Sequence, residues 1–330
     1  MKLSIVIVSY NELDYLEESI KSCMNSNCDY EIIIGDDGSI DGSIELIAKY
    51  SKRYPGKIKF FVMDRVGVKS VKDIIPSIRV SNVLKRAFEI CQGEYITIIS
   101  GDDVNTLPNR YIKQVEFLDN NFKYSSCYID YKKFWNDGTE ENYRLRASLS
   151  ENIFWAIQYV HISCFVFRRD CLNNILDRFC DDTGLIYSIL VTGKSKHLSM
   201  DGFGYRQRDK SIMHEADRIE LSLLEIALFQ DCLNHGAMKR SSFSRFYKPL
   251  QYLRANRSSI ITGKYDKYIN NCSGYPNDIL QQIIEDNSSI RMFVIKGYVY
   301  CQIYKIFRKI VLILNMLGRK DAVGDYDNES

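Results

Sequence analysis

Along the first 125 positions, hydrophobic residues come in short β-branched runs, each closed by a polar turn and followed by apolar residues at helical spacing. Leu3 to Val8 is the first run; it stops at Ser9-Tyr10-Asn11, after which Leu13, Leu16 and Ile20 predict a helix. Glu31 to Ile34, the turn Gly35-Asp36-Asp37-Gly38-Ser39, and then Ile44, Ile47 and Ala48 repeat the same grammar. Lys57 to Met63 predicts a third strand, and Tyr95 to Ile99 a buried fourth that ends on Ser100-Gly101-Asp102-Asp103. Pro108 with Tyr111, Val115 and Leu118 opens the next helix. Strands alternating with helices at these lengths predict an α/β fold, a doubly wound and mainly parallel sheet flanked by helices.

In such sheets ligands bind beyond the carboxyl ends of the strands, and the polar turns of the first, second and fourth strands lie there. Two adjacent acids at a strand end are costly to hold together unless a cation shares them with another anion. A divalent ion bridging Asp102 and Asp103 to a diphosphate meets that need. The bland alternative for Asp36-Asp37-Gly38-Ser39 is a cap on the following helix. The basic connection from Arg65 to Lys85, with Lys69, Lys72 and Arg79, either neutralises phosphate or is a solvated loop, and Asn82 marks a helix start after it.

Farther along, Cys127 to Tyr131 and Ile162 to Phe167 predict strands, and Asp181-Asp182 precedes an apolar helix through Leu185, Ile189 and Leu190. An acid there is either a helix cap favoured by the dipole or a base. Beyond residue 215, Leu221, Leu224 and Leu228 make a helical stripe. From Lys239 to Lys320 there are 15 Lys and Arg against four acids. Lys305, Arg308 and Lys309 fall on one face of an apolar stretch from Ile290 to Leu317. That stretch either packs as a helical cap or lies on an anionic membrane surface.

Composition narrows the class without choosing a chemistry. The chain has 330 residues, 45% hydrophobic and 26% charged, with a net charge of +2, so a sizeable core is expected. Ten cysteines show no CxxC and no paired spacing, as expected of core residues in a reducing compartment. Met1-Lys2-Leu3-Ser4 lacks a signal-peptide pattern, and no charge-free apolar run reaches the roughly 18 residues of a membrane span. A cytoplasmic protein is expected, with the carboxyl-terminal region as a candidate anchor to the inner membrane face. No nucleic-acid module is present, and nucleic acid is not an expected partner.

Taken together, Val8-Ser9-Tyr10-Asn11, Gly35-Asp36-Asp37-Gly38-Ser39, Asp41-Gly42-Ser43, Asn82, Gly93-Glu94-Tyr95-Ile96, Gly101-Asp102-Asp103 and Pro108 resemble the nucleotide-binding half of family 2 glycosyltransferases. The match covers roughly residues 1–125. The resemblance implies a GT-A fold, with residues 1–215 as catalytic domain: 1–125 for the nucleotide sugar and 126–215 for the acceptor. Residues 216–330 would form a basic, aromatic-rich helical extension. It implies inverting transfer from a nucleoside diphosphate sugar, UDP-linked, with Mg or Mn, to a glycan or polyprenyl-linked acceptor in surface polysaccharide synthesis.

Carried over by position, the resemblance places Ser9, Tyr10, Asn11, Asp36, Asp37, Asn82 and Asp102 on the nucleotide and Asp102 and Asp103 on the metal. It does not choose which of those two acids ligates directly, because Ser100 stands where many members have Asp. Asp182, with Asp181 beside it, matches the family's catalytic base. Tyr205-Arg206-Gln207-Arg208 resembles the segment closing over the diphosphate, which puts Arg206 and Arg208 on the nucleotide. Arg208 replaces the usual histidine, so either His214 serves the metal instead or Arg208 binds phosphate directly. His161, His197 and His235 read as packed or surface residues. Two other classes remain open on the sequence: a nucleotide-binding module without transfer, and a nucleotidyltransferase.

Overall fold

A computed structural model describes residues 1–24, 26, 28–65, 76–144, 160–174, 182–208, 218–223, 225–226 and 243–260. The chain divides into two compact units, Met1–Glu215 and Ala216–Ser330.

In the first unit the described residues run β1 (Leu3–Ser9), α1 (Leu13–Met24), β2 (Tyr30–Asp36), α2 (Ser43–Arg53), β3 (Ile58–Val62), α3 (Pro76–Ile90), β4 (Tyr95–Ser100), β5 (Val104–Asn105) and α4 (Arg110–Asp119). There follow β6 (Tyr124–Phe134), β7 (Glu140–Tyr143), β8 (Phe165–Arg168), α5 (Asp182–Thr192) and β9 (Lys194–Arg206). The strands form one sheet in the order β3-β2-β1-β4-β8-β6-β9-β5, with β7 paired to β6. β1, β2, β3 and β4 are parallel neighbours, β8 runs antiparallel to β4 and β6, and β6 and β9 are parallel.

The near-continuous apolar runs of β1, β2 and β4 follow from burial along their length, as in a parallel sheet covered on both faces. β3, at the edge, alternates instead. The strand order reverses at β1: β2 lies on one side of it and β4, reached after α3, on the other. Ser9 pairs in register with Asp36, and Val8 with Ser100. The polar turns after β1, β2 and β4 therefore open side by side at the switch point, where doubly wound sheets bind ligands.

Three sequence expectations change. Helix α3 begins at Pro76, a residue suited to a first helical turn, so Asn82 sits exposed within the helix and not at its start. Ile162–Cys164 is a 3-10 turn ahead of the shorter strand β8. Strand β9 spans 13 residues that periodicity did not reveal, because its pairing with β6 is irregular around Asp130 and such irregularities break the two-residue alternation.

In the second unit, α6 (Phe243–Ala255) and the short α7 (Arg257–Ile260) bury Leu250, Leu253 and Ile260. The Arg218 guanidinium lies 4.2 Å from the Tyr252 ring centre. The stretch Ile290 to Leu317 lies outside the described residues. Among those residues no helix is long and apolar enough to cross a membrane.

Candidate functional site

The first two turns are tied together through Ser39. Its hydroxyl donates to Asp36 Oδ2 at 2.7 Å and accepts from the Asn11 backbone N–H at 2.8 Å. Its own N–H donates to Asp36 Oδ1 at 2.7 Å, and Asn11 Oδ1 accepts from Ile40 N–H at 2.9 Å. Asn11 has φ 51°, a left-handed conformation that Asn tolerates better than most residues. Asp36 is fully buried with both oxygens on Ser39, so it shapes the turn. Asp41 Oδ2 accepts from Leu13 N–H at 2.9 Å at the start of α1. Neither the Asp36 nor the Asp37 side chain caps α2, whose N-cap is Gly42 without a side-chain bond.

Asp37 is a buried carboxylate held by two arginines. Arg65 Nη2 lies 2.5 Å from its Oδ2, and Arg79 pairs with Oδ1. Arg65 also donates to the Tyr10 hydroxyl at 2.9 Å and stacks on that ring at 3.8 Å. The basic connection thus supplies Arg65 and Arg79 to an acid, while Lys69 and Lys72 lie outside the described residues.

The acidic strand end gathers a third carboxylate. Asp103 is fully buried; its Oδ1 accepts from the Arg206 backbone N–H at 2.9 Å, and its Oδ2 has no partner among the described residues. Asp102 Oδ2 lies 2.7 Å from Arg208 Nη2, which also reaches Glu12 Oε1 at 3.2 Å. Glu12 Oε2 is buried and has no partner among the described residues. Burial first, then the charge of Asp102, holds both the Glu12 and the Asp103 carboxyls well above the usual range. Arg206 donates Nε–H to the Asp102 carbonyl and pairs with Glu18 at 2.5 Å, so its side chain braces the acidic turn.

Gly101 is where this cluster closes. A Cβ there would lie 2.5 Å from Glu12 Oε2 and 3.1 Å from Leu16 Cδ1. Gly101→Ala is expected to cost about 1–3 kcal/mol through overpacking, read as a lower Tm in a thermal melt.

Asp182 is the first residue of α5. Its side chain reaches solvent, yet surrounding protein desolvates it enough to raise its carboxyl to about 6. It lies within electrostatic reach of Asp103 and of the Tyr205 hydroxyl. Tyr205 is half-buried, 4.6 Å from the His161 ring. Burial pushes the His161 imidazole down to about 4, against an opposing pull from Asp102.

Of the expected residues, the first unit brings Ser9, Tyr10, Asn11, Asp36, Asp37, Asp102, Asp103, Arg206 and Arg208 to the turns or strand ends at this side of the sheet, and sets Asp182 at the start of α5. Ser9 is buried with its hydroxyl unpaired among the described residues. Asn82 stands apart on α3, and Asp181 and His214 lie outside the described residues. Glu12 and His161 also lie here without having been singled out, and Arg65 was read only as part of the basic connection. Glu12 follows directly on the Ser-Tyr-Asn turn and was the readable signal; Arg65 and His161 join through tertiary contacts that no spacing encodes.

No group of three or more His, Cys, Asp or Glu side chains is placed to hold a metal among the described residues. Two carboxylates with one unpaired buried oxygen nevertheless fit a hard divalent ion, since magnesium takes one or two protein carboxylates and completes its shell with phosphate and water.

Comparison with known proteins agrees with this layout. The model of "Glycosyl transferase family 2" matches residues 4–176, more than half of the chain. The cholesterol galactosyltransferase of Borreliella burgdorferi is 34% identical over 103 residues, 31% of this chain and 25% of that protein. The poly(ribitol-phosphate) beta-glucosyltransferase of Bacillus spizizenii is 35% identical over 106 residues, 31% of this chain and 15% of that protein. An uncharacterized protein of Mycobacterium tuberculosis is 27% identical over 175 residues, 51% of this chain and 47% of that protein. The matched stretch thus spans about half, or less, of these relatives' own length. Among solved structures, residues 1–349 of S. aureus TarS in complex with UDP-GlcNAc align with a TM-score of 0.60 at 14% identity, covering 92% of both chains. The fold is GT-A, and the chain belongs to glycosyl transferase family 2.

Proposed function

We propose that the chain moves a sugar from a UDP-sugar to a hydroxyl of a glycan or lipid-linked acceptor in surface polysaccharide synthesis, with inversion at the anomeric carbon. The observation that supports this reading is the acidic strand end at the switch point of the sheet, where the buried Asp103 has an Oδ2 without a partner among the described residues. The acceptor oxygen forms a bond to the anomeric carbon as the bond to the diphosphate breaks. The acceptor proton passes to Asp182, and the electron pair leaves with the diphosphate. One in-line displacement inverts the centre.

Tyr10, Asp37 and Arg65 would hold the base, and Ser9 and Asn11 line the nucleotide turn. Asp102 and Asp103 would hold Mg or Mn, which when bound neutralises charge developing on the departing diphosphate. Arg208 reaches Asp102 and Glu12 and can turn its guanidinium to phosphate oxygens. An acceptor carried on a polyprenyl lipid, met at the inner membrane face, goes with this reading. The family's glycosyltransferases among the relatives, and the UDP-GlcNAc in TarS, support the donor class.

The test is nucleotide release from UDP-, GDP- and dTDP-sugars by the purified chain with manganese. Release from a UDP-sugar, stopped by EDTA, is the expected result. Thermal stabilisation by UDP without release from any donor would leave a nucleotide-binding module in place of an enzyme.

A further inference from the structure

His161 and Tyr205, the latter next to Arg206 whose N–H binds Asp103, have no part in the chemistry described so far. The two rings lie 4.6 Å apart, tilted by 34°, and both are half-buried. His161 also stacks on the fully buried Phe203 at 5.0 Å and 24°. The stack continues through Tyr131, 6.3 Å from Phe203, to Tyr143, 4.8 Å farther and nearly parallel at 9°. An aromatic tier thus runs from the edge of β7 inward to the acidic residues.

The imidazole is oriented as well as packed. His161 Nδ1 accepts the Ser163 backbone N–H at 3.3 Å, which leaves the ring proton on Nε2. No described residue takes that N–H. The backbone carrying both rings is clamped from behind by Arg110, a fully buried guanidinium. It donates to the Gly202 carbonyl at 3.2 Å and to the Ser163 carbonyl, and packs 5.8 Å from Phe203. Strand β9, which ends at Tyr205-Arg206, and the 3-10 turn next to His161 are therefore tied by one side chain. Arg110 has no carboxylate partner among the described residues, so its cost of burial is offset by holding these two segments.

A half-buried pair of rings beside a fixed N–H donor suits a ligand with an apolar face and a rim of hydroxyls. A pyranose ring is such a ligand, with C–H groups on one face and hydroxyls at its edge. An acyclic polyol or a peptide does not present that combination as a rigid unit. We propose that Tyr205 and His161 form the acceptor subsite and select a pyranose, stacked on the Tyr205 ring and held by hydrogen bonding from His161 Nε2–H. This rests on the transferase reading above and names the acceptor class of the same site. Tyr205 directly precedes Arg206, whose backbone N–H donates to Asp103 Oδ1 at 2.9 Å, so the subsite adjoins the acidic strand end.

Saturation-transfer NMR on the full chain with UDP present tests this without turnover. The probes are methyl glycosides of glucose, galactose, mannose and N-acetylglucosamine, with ribitol as the acyclic comparison. At least one pyranoside is expected to saturate mainly on the protons of one ring face, with ribitol silent. Tyr205→Leu is expected to weaken binding about three- to tenfold, the worth of one aromatic contact. His161→Phe keeps the stacking but not the donor and is expected to cost a similar factor. His161→Gln, which retains an N–H, should recover most of it. Each variant is compared at equal UDP occupancy and after a cooperative melt. Ribitol saturating as strongly as every pyranoside, or both His161→Phe and Tyr205→Leu binding like the wild type, would overturn the proposal. Failure here with UDP-sugar turnover intact removes only the acceptor assignment, whereas absence of nucleotide release removes the transferase reading itself.

Discussion

Asp182→Asn is expected to lower sugar transfer by about 10²- to 10⁴-fold, the usual worth of a positioned general base, while UDP still stabilises the protein against heat. The pH dependence separates this role from a structural one. The base must be ionised to take the acceptor proton, so kcat/KM should rise with pH and level off above about 6, where the Asp182 carboxyl titrates. The asparagine variant should lose that limb.

Stability moves in the opposite sense. A carboxyl raised by desolvation favours its protonated form in the folded state, so its contribution is fully present below the ordinary carboxylate range. That contribution is lost as pH rises through about 6. Asp182→Asn should therefore melt above the wild type at pH 8, with the gap closing toward pH 4. A variant that melts lower at pH 8 and keeps full turnover would move the base elsewhere.

Asp103→Asn is the second large effect. The substitution keeps an oxygen to accept the Arg206 backbone N–H and replaces the unpaired Oδ2 with an amide nitrogen that cannot ligate a cation. Nucleotide-free stability should hold, because the amide removes a buried acid whose ionised form is disfavoured. Stabilisation by UDP with manganese, which grows as the logarithm of ligand over Kd, should fall to that of UDP alone. Turnover should drop by about 10²-fold or more. Equal manganese-dependent thermal shifts in variant and wild type would remove Asp103 from the cation site, and undiminished turnover in EDTA would remove the cation from the reaction.

The residues that were legible share a physical cause. Buried parallel strands must be apolar along their whole length, so Leu3 to Val8 and Tyr95 to Ile99 announce themselves, and the turns that end them carry the polar chemistry. Asp182 stood out only through the family resemblance, because an acid at a helix start is equally a cap. Other residues carry no such mark. Asn82 was misplaced because a helix may begin at a proline inside a polar stretch. Glu12 drew no reading from the sequence, yet it is buried against Gly101. His161 read as a packed or surface histidine, and it is half-buried beside Tyr205. Arg65 lay in a connection that read either as phosphate-neutralising or as a solvated loop, and it holds Asp37 and Tyr10.

By itself the sequence determined the alternating α/β architecture, the acidic strand end, the candidate base and the family resemblance, because each depends on residues close together in the chain. Only the tertiary structure decided which carboxylates Arg65, Arg79, Arg206 and Arg208 neutralise. It alone showed that Asp103 has an oxygen without a partner among the described residues, and that strand β9 and the turn beside His161 are tied by the buried Arg110. Pairing and desolvation depend on groups brought together from distant segments, and their energies are set by burial and distance. Residue order encodes those quantities only through the completed fold.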